Sequence, residues 1–241
     1  MRALLLLLVL PALALAQEKS EMRELTGTVG GRSALMVLQA TTRPDGAWQV
    51  AGEYVLLPTL VRRFVEGERS PEIGVTTLRE GATSILFGRP PIGELRGTWR
   101  NARFSGARFG PGGQERERFD FSEEFPPMES YSASVRCDAR EGRYSSTLTY
   151  AVESGKLVSL DWRSTVAPGN HSCTVSGMQQ QAMSGGLRAV TGRCNVTLRD
   201  LADFVRVSAE GCAEHCGSQA YLEPVLVDRR GTCHLLRPET R

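Results

Sequence analysis

Apolar residues alternate with polar ones in short runs along the chain, which is the pattern of half-buried β-strands. The run "RERFDFS" at 116–122 is the clearest case, because Phe119 and Phe121 alternate with charged residues. Runs rich in β-forming residues at 34–42 and 48–57 are separated by the turn sequence Arg-Pro-Asp-Gly. The first half is therefore predicted to be an antiparallel β-barrel-like meander.

Helical periodicity is nearly absent, and "PTLVRRFVEG" at 58–67 is the only segment predicted as a short helix. In the second half, the runs 146–152 and 156–162 flank Glu153-Ser154-Gly155, which predicts a β-hairpin. Alternation predicts that its two apolar faces consist of Leu148, Tyr150 and Val152 and of Val158, Leu160 and Trp162. The chain is thus predicted to be all-β.

The cysteines divide the chain into two unlike parts, because all six lie in the second half. The boundary is placed in "SEEFPPMES", where Pro126 and Pro127 remove two backbone donors and stiffen the chain. We predict a β-meander domain over 17–125, a linker over 126–130 and a smaller disulfide-stapled β-domain over 131–241.

Residues 1–16 have the features of an export signal. Arg2 precedes an apolar run at 4–10, and Ala14-Leu15-Ala16 has the small-x-small form that signal peptidase cleaves. The apolar run is too short to span a bilayer, which takes about 20 residues. We expect a periplasmic or secreted protein that begins at Gln17 and does not span the membrane.

The segment Cys212-Ala213-Glu214-His215-Cys216 raises the question of haem, redox or metal chemistry. Its spacing differs from the Cys-x-x-Cys-His of a c-type haem and from the Cys-x-x-Cys of a thioredoxin-like pair. Zinc is the alternative, with ligands available from His171, Cys173, Cys212, His215, Cys216, Cys233 and His234. Six cysteines in an exported domain of about 110 residues favour three disulfides instead.

We predict separate partners for Cys212 and Cys216, because a direct bond across so short a spacing would be tight. The predicted bonds are Cys137–Cys173, Cys194–Cys212 and Cys216–Cys233. No cofactor and no metal ion is expected.

Charged residues are nearly balanced, with 29 Lys and Arg against 27 Asp and Glu. Nucleic-acid binding usually requires a basic excess, so no nucleic-acid partner is expected. The chain also lacks the Gly-x-Ser-x-Gly, His-Glu-x-x-His and Gly-Lys-Ser/Thr motifs. We therefore predict a non-enzymatic binding protein. A hydrolase with an unrecognised site, built on one of the three histidines, is an alternative.

Four short motifs in the first half carry a family resemblance. They are "GTVGG" (27–31), "GEY" (52–54), "TTLREG" (76–81) and "GTW" (97–99). Over residues 25–121 the chain resembles a β-meander domain of uncharacterised secreted bacterial proteins, and the resemblance implies a β-meander without a known chemistry. The segment 58–74 departs from this pattern, which leaves the strand pairing there open.

The triplets "GAW" (46–48) and "GTW" (97–99) are similar to those of lipocalin and avidin-type barrels, in which the tryptophan closes one end of the barrel. This similarity makes Trp48 and Trp99 candidate residues of a ligand pocket and makes a small-ligand carrier with a calycin-like barrel a second alternative. The competing interpretation is that both tryptophans fill the core.

The C-terminal motifs "GRCNVTLRDL" (192–201) and "GCAEHCGSQAYL" (211–222) resemble disulfide-bonded β-domains grouped with periplasmic lysozyme inhibitors. The Ser-Gly-x-x-Tyr motif of the C-type inhibitors is not matched at 176–180, so no inhibitory residue is carried over. The resemblance implies that the partner is a protein or a cell-envelope component. The loops 164–172 and 176–186 would then be the segments that enter an enzyme cleft.

Overall fold

The computed structural model of the protein describes residues 19–44, 46–69, 74–82, 90–168, 171–217 and 220–236. Most of these residues form antiparallel strands, which confirms the predicted all-β class. Within the same ranges, no helix is long and apolar enough to cross a membrane. The predicted signal peptide lies outside the described residues.

The first half forms a closed eight-stranded barrel in which each strand pairs with the next one along the chain. Its strands are β1 (Lys19–Val29), β2 (Arg32–Thr42), β3 (Trp48–Leu56), β4 (Val61–Arg69), β5 (Val75–Gly81), β6 (Gly93–Arg100), β7 (Arg103–Phe109) and β8 (Glu115–Ser122). The barrel closes where Thr26–Val29 of β1 pairs with Phe119–Ser122 of β8. The predicted β-barrel-like meander is thereby confirmed.

The inside of the barrel is occupied by apolar side chains, because alternate residues of each strand point inward. The rings of Phe104 and Phe119 lie 4.8 Å apart between centroids, and those of Phe119 and Phe121 lie 6.0 Å apart. Paired glycines let two strands approach closely, since a Cβ on Gly106 would lie 2.6 Å from the Cα of Gly97. Large rings and small glycines together form the core.

The segment 58–67 is not a helix, so that prediction is wrong. Residues Val61–Arg69 form β4, which pairs with β3 on one side and with β5 on the other. Val65 is buried inside the barrel, and a Cβ on Gly67 would lie 1.8 Å from the carbonyl oxygen of Thr77. Pairing with two neighbours therefore decides the conformation of a sequence whose local pattern permitted a helix.

The second half forms two further antiparallel sheets. The four-stranded sheet has the order β12-β11-β10-β9 and contains β9 (Ala133–Glu141), β10 (Tyr144–Glu153), β11 (Lys156–Val166) and β12 (His171–Ser176). The six-stranded sheet contains, in spatial order, β13 (Gln179–Gln181), β14 (Leu187–Thr191), β15 (Cys194–Asp200), β16 (Phe204–Glu210), β17 (Val225–Asp228) and β18 (Cys233–Leu235). A 3-10 turn, Ala213–His215, follows β16.

The predicted hairpin at 153–155 connects β10 to β11. Most of the residues predicted to face the core are buried, namely Leu148, Tyr150, Val152, Leu160 and Trp162. Val158 is the exception: it is 58% exposed, so this part of the prediction is wrong. A register shift after Ala151 pairs Val152 with Leu157 and turns Val158 towards solvent.

All six cysteines form disulfides, as predicted. The bond between Cys194 and Cys212 is confirmed, and Cys212 and Cys216 have separate partners. The other two predicted pairs, Cys137–Cys173 and Cys216–Cys233, are wrong, because the bonds are Cys137–Cys233 and Cys173–Cys216. The prediction joined cysteines that are close in sequence, whereas the fold brings β18 beside β9.

The two sheets of the second half pack face to face around one core that includes Tyr150, Trp162 and Val207. The other face of the six-stranded sheet packs on the outer wall of the barrel, where Leu226 and Leu35 share an apolar cluster. Strand β16 is consequently buried over Phe204–Ser208 on both of its faces. The molecule therefore has three layers: the four-stranded sheet, the six-stranded sheet and the barrel wall.

The segment predicted as a linker, residues 126–130, is held in place by two buried side chains. Phe125, which precedes it, packs into the cluster between barrel and sheet, and Met128 packs into the core of the sandwich. Pro126 and Pro127 lie exposed between these two anchors. The barrel ends before this segment and β9 begins after it. Independent folding of the two parts stays a prediction.

Candidate functional site

The structure brings Trp48 and Trp99, the two predicted pocket residues, to the same end of the barrel. The guanidinium of Arg23 lies 5.1 Å from the Trp48 ring centroid and 5.3 Å from that of Trp99. Arg69 lies 4.8 Å from the Trp48 ring, and Trp99 stacks on Phe104 at 5.0 Å. These contacts form a row of cationic and aromatic groups across the end of the barrel.

The contacts of this row are those expected of side chains that close the end of the barrel. Arg23 is held in place by hydrogen bonds to Glu123 at 2.9 Å and to Glu21 at 3.3 Å. Both indoles are therefore engaged in internal contacts, which favours the interpretation that they fill and close the barrel. A ligand pocket at Trp48 and Trp99 stays a prediction.

A buried cluster of charges occupies the opposite end of the barrel. Glu80, which is fully buried, accepts hydrogen bonds from Arg108 at 2.6 and 2.9 Å. The Nε atom of Arg63 lies 3.4 Å from the same carboxylate. The hydrogen bond to Glu80 raises the pKa of the Arg108 guanidinium, while burial and the Glu80 charge raise the pKa of Tyr54. The cluster has the form of a structural ion-pair network.

A cleft of about 420 Å³ lies at the junction between the barrel and the sandwich, and we call it the junction groove. The barrel contributes Val55 and residues 60–64 to its walls, and the sandwich contributes Glu141 and residues 234–236. Apolar and polar groups contribute about equally to its surface, and its four ionisable groups are Arg62, Arg63, Glu141 and His234. Concave, partly apolar surfaces between domains are the usual location of ligand sites.

Charges of both signs surround the junction groove. Arg62 pairs with Glu53 at 3.3 Å, and Arg63 reaches inward to Glu80. Burial raises the pKa values of Glu53 and of the neighbouring Glu223, and the positive charge of Arg62 opposes both shifts. The groove therefore presents apolar and charged groups side by side, and its arginines are already partnered within the fold.

One of the three histidines, His234, lines the junction groove. Its Nε2 atom lies 3.4 Å from a carboxylate oxygen of Asp228, and its ring meets Phe204 edge-on at 5.9 Å. A backbone hydrogen bond from Thr232 lowers the pKa of Asp228. A nucleophilic hydrolase would add a hydroxyl to such a pair. Among the described residues that line the groove, none carries one.

The loop 176–186, predicted as a segment that enters an enzyme cleft, is held against the sandwich. Part of it forms β13, which pairs with β14. The side chain of Gln180 accepts a hydrogen bond from the backbone nitrogen of Leu157 at 2.7 Å and donates one to the carbonyl of Gly155 at 3.2 Å. These bonds remove much of the freedom that an inserting loop would need, so this candidate loses support.

The other predicted loop, 164–172, is the end of the β11–β12 hairpin. Val166 pairs with His171 at the last rung of the ladder, and the turn residues 169–170 lie outside the described ranges. His215 lies elsewhere, in the 3-10 turn, with its Nε2 atom 3.6 Å from Glu214. Among the described residues, no group of three or more histidines, cysteines or acidic residues is arranged to hold a metal ion, and every cysteine of the zinc hypothesis is used in a disulfide.

Comparisons of the chain with protein-family models, with curated proteins and with solved structures find no match. The motif resemblances therefore stay expectations, and the site is interpreted from its own geometry. The sequence does not predict the junction groove, because its walls come from positions 55–64 and 234–236. The sequence did contain a signal for the groove, because segment 58–74 departs from the meander pattern. This segment supplies most of one wall of the groove.

Proposed function

We propose that this chain is an exported, non-enzymatic binding protein of the bacterial envelope, and that an extended segment of a partner protein occupies its junction groove. The observation that carries this proposal is the cleft of about 420 Å³ between two units that share an apolar interface. A cleft of this size accommodates about two apolar side chains of a partner. Polar groups beside them would meet the charged edge of the groove.

The exposed apolar edge of the groove supports a protein partner. Val61 lines the groove and is 37% exposed, although it is a large apolar side chain. Leu60 and Phe64 line the same cleft. Exposed apolar groups around a concave surface are typical of interaction sites. Apolar side chains fill the interior of the barrel. The groove is therefore a better supported ligand site than a pocket inside the barrel.

The backbone beside the groove also supports a binding role. Leu60 adopts a φ of 57°, in the left-handed region that a leucine rarely occupies. Leu57, three residues earlier, is buried in the cluster between barrel and sheet, and its backbone nitrogen donates to Ser33 at 2.7 Å. Residues held in such conformations concentrate at ligand clamps. The turn between β3 and β4, which ends at Leu60, therefore has a defined backbone conformation beside the groove.

The disulfides support export. Three bonds staple the sandwich and its loops, and disulfides persist mainly in oxidising compartments such as the periplasm or the extracellular space. This is compatible with the export signal expected at 1–16. Envelope components are accordingly the partners to test first.

The groove is tested by comparing Val61→Glu with Val158→Glu. Both positions carry an exposed valine at a strand, but only Val61 lines the groove. Immobilised wild-type protein and the Val158→Glu variant are expected to retain the same partner from an envelope extract, measured by quantitative mass spectrometry. Retention by Val61→Glu is expected to fall roughly tenfold or more, because a charged side chain replaces an apolar one that the partner would cover. Equal retention by both variants would place the binding surface elsewhere.

A lysozyme is the specific partner suggested by the C-terminal resemblance, and the exposed end of the β11–β12 hairpin is the segment best placed to enter its cleft. The carboxylates of a glycosidase cleft attract hydrogen-bond donors. Mature protein is expected to inhibit c-, g- or i-type lysozyme at micromolar excess, and replacement of 167–170 by two glycines is expected to abolish inhibition. Absence of inhibition in all three classes would remove this partner while leaving the groove proposal open to its own test.

A further inference from the structure

Three arginines lie on one face of the six-stranded sheet, outside the junction groove. Arg188 is on β14, Arg199 on β15 and Arg206 on β16. Arg199 and Arg206 are directly opposite each other in the strand register, and Arg188 is opposite Thr197, two residues before Arg199. Because side chains alternate along a strand, these positions share the face that packs against the barrel.

The three arginines are incompletely paired, and Arg206 is buried while Arg188 and Arg199 are partly exposed. Arg206 is only 4% exposed, and its Nε atom has no hydrogen-bond partner among the residues that the structure describes. The Nε atoms of Arg188 and Arg199 are also buried, and neither has a hydrogen-bond partner in the described ranges. Arg188 forms no salt bridge within the part of the chain that the structure describes. Buried donors normally have acceptors, so these Nε atoms indicate an acceptor that the described residues do not supply.

The negative charge beside the three arginines is smaller than their positive charge. Glu24 of β1 contacts Arg206 and lies 3.6 Å from the Nε atom of Arg199. Glu210 acts on Arg199 at longer range, and Glu53, which acts on Arg206, is itself paired with another arginine. Two adjacent guanidinium groups thus share one directly contacting carboxylate. The Arg199 guanidinium also lies 4.0 Å from the Phe125 ring centroid, a contact that leaves its in-plane donors available to a further anion.

We propose that this arginine cluster, formed by Arg188, Arg199 and Arg206, binds a small oxyanion. Guanidinium groups donate pairs of parallel hydrogen bonds to the oxygens of phosphate, sulfate or carboxylate groups. The register places the hydroxyls of Thr197 and Ser208 opposite each other on the same face, next to the arginines. The side chain of Arg199 is 20% exposed, which provides a route from solvent.

The proposal is tested by thermal unfolding at constant ionic strength, with chloride replaced stepwise by inorganic phosphate in one series and by acetate in another. A ligand that binds only the folded state raises the midpoint temperature in a saturable way. Wild-type protein is expected to show saturation with at least one of the two anions. A response to phosphate alone identifies a tetrahedral oxyanion, and a response to acetate identifies a carboxylate.

Two substitutions on the β14–β15 hairpin provide the control. Arg188→Gln is expected to weaken the anion response about tenfold or more, because it removes a charge-assisted donor. Arg193→Gln changes an exposed arginine in the connecting turn and is expected to respond as wild type does. Arg188→Lys retains the charge, and it replaces Arg188→Gln in the anion titration if the glutamine variant does not fold. A rise that never saturates, or that is equal in Arg188→Gln, would overturn the proposal, because anions also stabilise proteins non-specifically.

Discussion

Replacing Cys137 and Cys233 by alanine is expected to lower the free energy of unfolding by about 4–5 kcal/mol. These cysteines are 96 residues apart in the sequence, so their bond restricts the unfolded chain strongly. The bond also holds β18 against β9, and β18 supplies part of one wall of the junction groove. Partner retention is therefore expected to fall together with stability. Urea unfolding followed by tryptophan fluorescence measures the loss.

The comparison bond is Cys194–Cys212, which joins residues only 18 apart. Its replacement by two alanines is expected to cost about 3 kcal/mol, because a shorter loop restricts the unfolded chain less. Peptide mapping of the unreduced protein checks the pairing before either variant is interpreted. A larger loss for the Cys194–Cys212 variant than for the Cys137–Cys233 variant would show that the bond between the two sheets is not the main covalent restraint on unfolding.

Glu80→Gln is expected to lower the free energy of unfolding by about 3–5 kcal/mol, the range for removing one partner of a buried ion pair. The substitution keeps the shape of the side chain but leaves the partly buried guanidinium of Arg108 without its main counter-charge. Arg63 loses the same carboxylate. Denaturant unfolding at neutral pH gives the value.

The matched control is Glu66→Gln, which breaks a salt bridge to Arg79 on the outside of the same barrel. This pair is partly exposed, so its removal is expected to cost less than about 1 kcal/mol. The double variant Glu80→Gln/Arg108→Gln is expected to lose less than the sum of its single variants, because the two groups are coupled. A loss for Glu80→Gln as small as that for Glu66→Gln would show that the cluster contributes little.

Alternation along single strands made much of the fold predictable from the sequence. Phe119 and Phe121 on β8, and Leu148 and Tyr150 on β10, are buried where the period of two placed them. The concentration of cysteines in one half also located the disulfide-bonded part correctly. These signals are local, because they depend only on which face of a strand a side chain occupies.

The errors arose where distant contacts decide the structure. A register shift beside Ala151 turned Val158 outward, although its spacing from Leu160 predicted burial. The pairing of β4 with two neighbours overrode a helical pattern at 58–67. Two of the predicted disulfides failed because the return of β18 to β9 is a property of the whole fold.

The candidate sites were the least predictable part, because each one unites separate elements. Arg206 lies within the apolar run of β16, and only the packing of this strand between two layers explains its burial. The junction groove likewise requires the barrel and the sandwich to be joined. Trp48 and Trp99 lie near one another at one end of the barrel, but their shared contact with Arg23 was not predictable from short triplets.

The most direct test of the groove as the binding surface is site-specific photo-crosslinking in an envelope extract. A photo-reactive phenylalanine analogue replaces Val61 in one protein and Val158 in another, and the adducts are analysed by mass spectrometry. We predict that the probe at Val61 forms an adduct with one protein and that the probe at Val158, on the far side of β11 from the core, does not. Absence of an adduct at Val61, or the same adducts at both positions, would contradict binding in the groove.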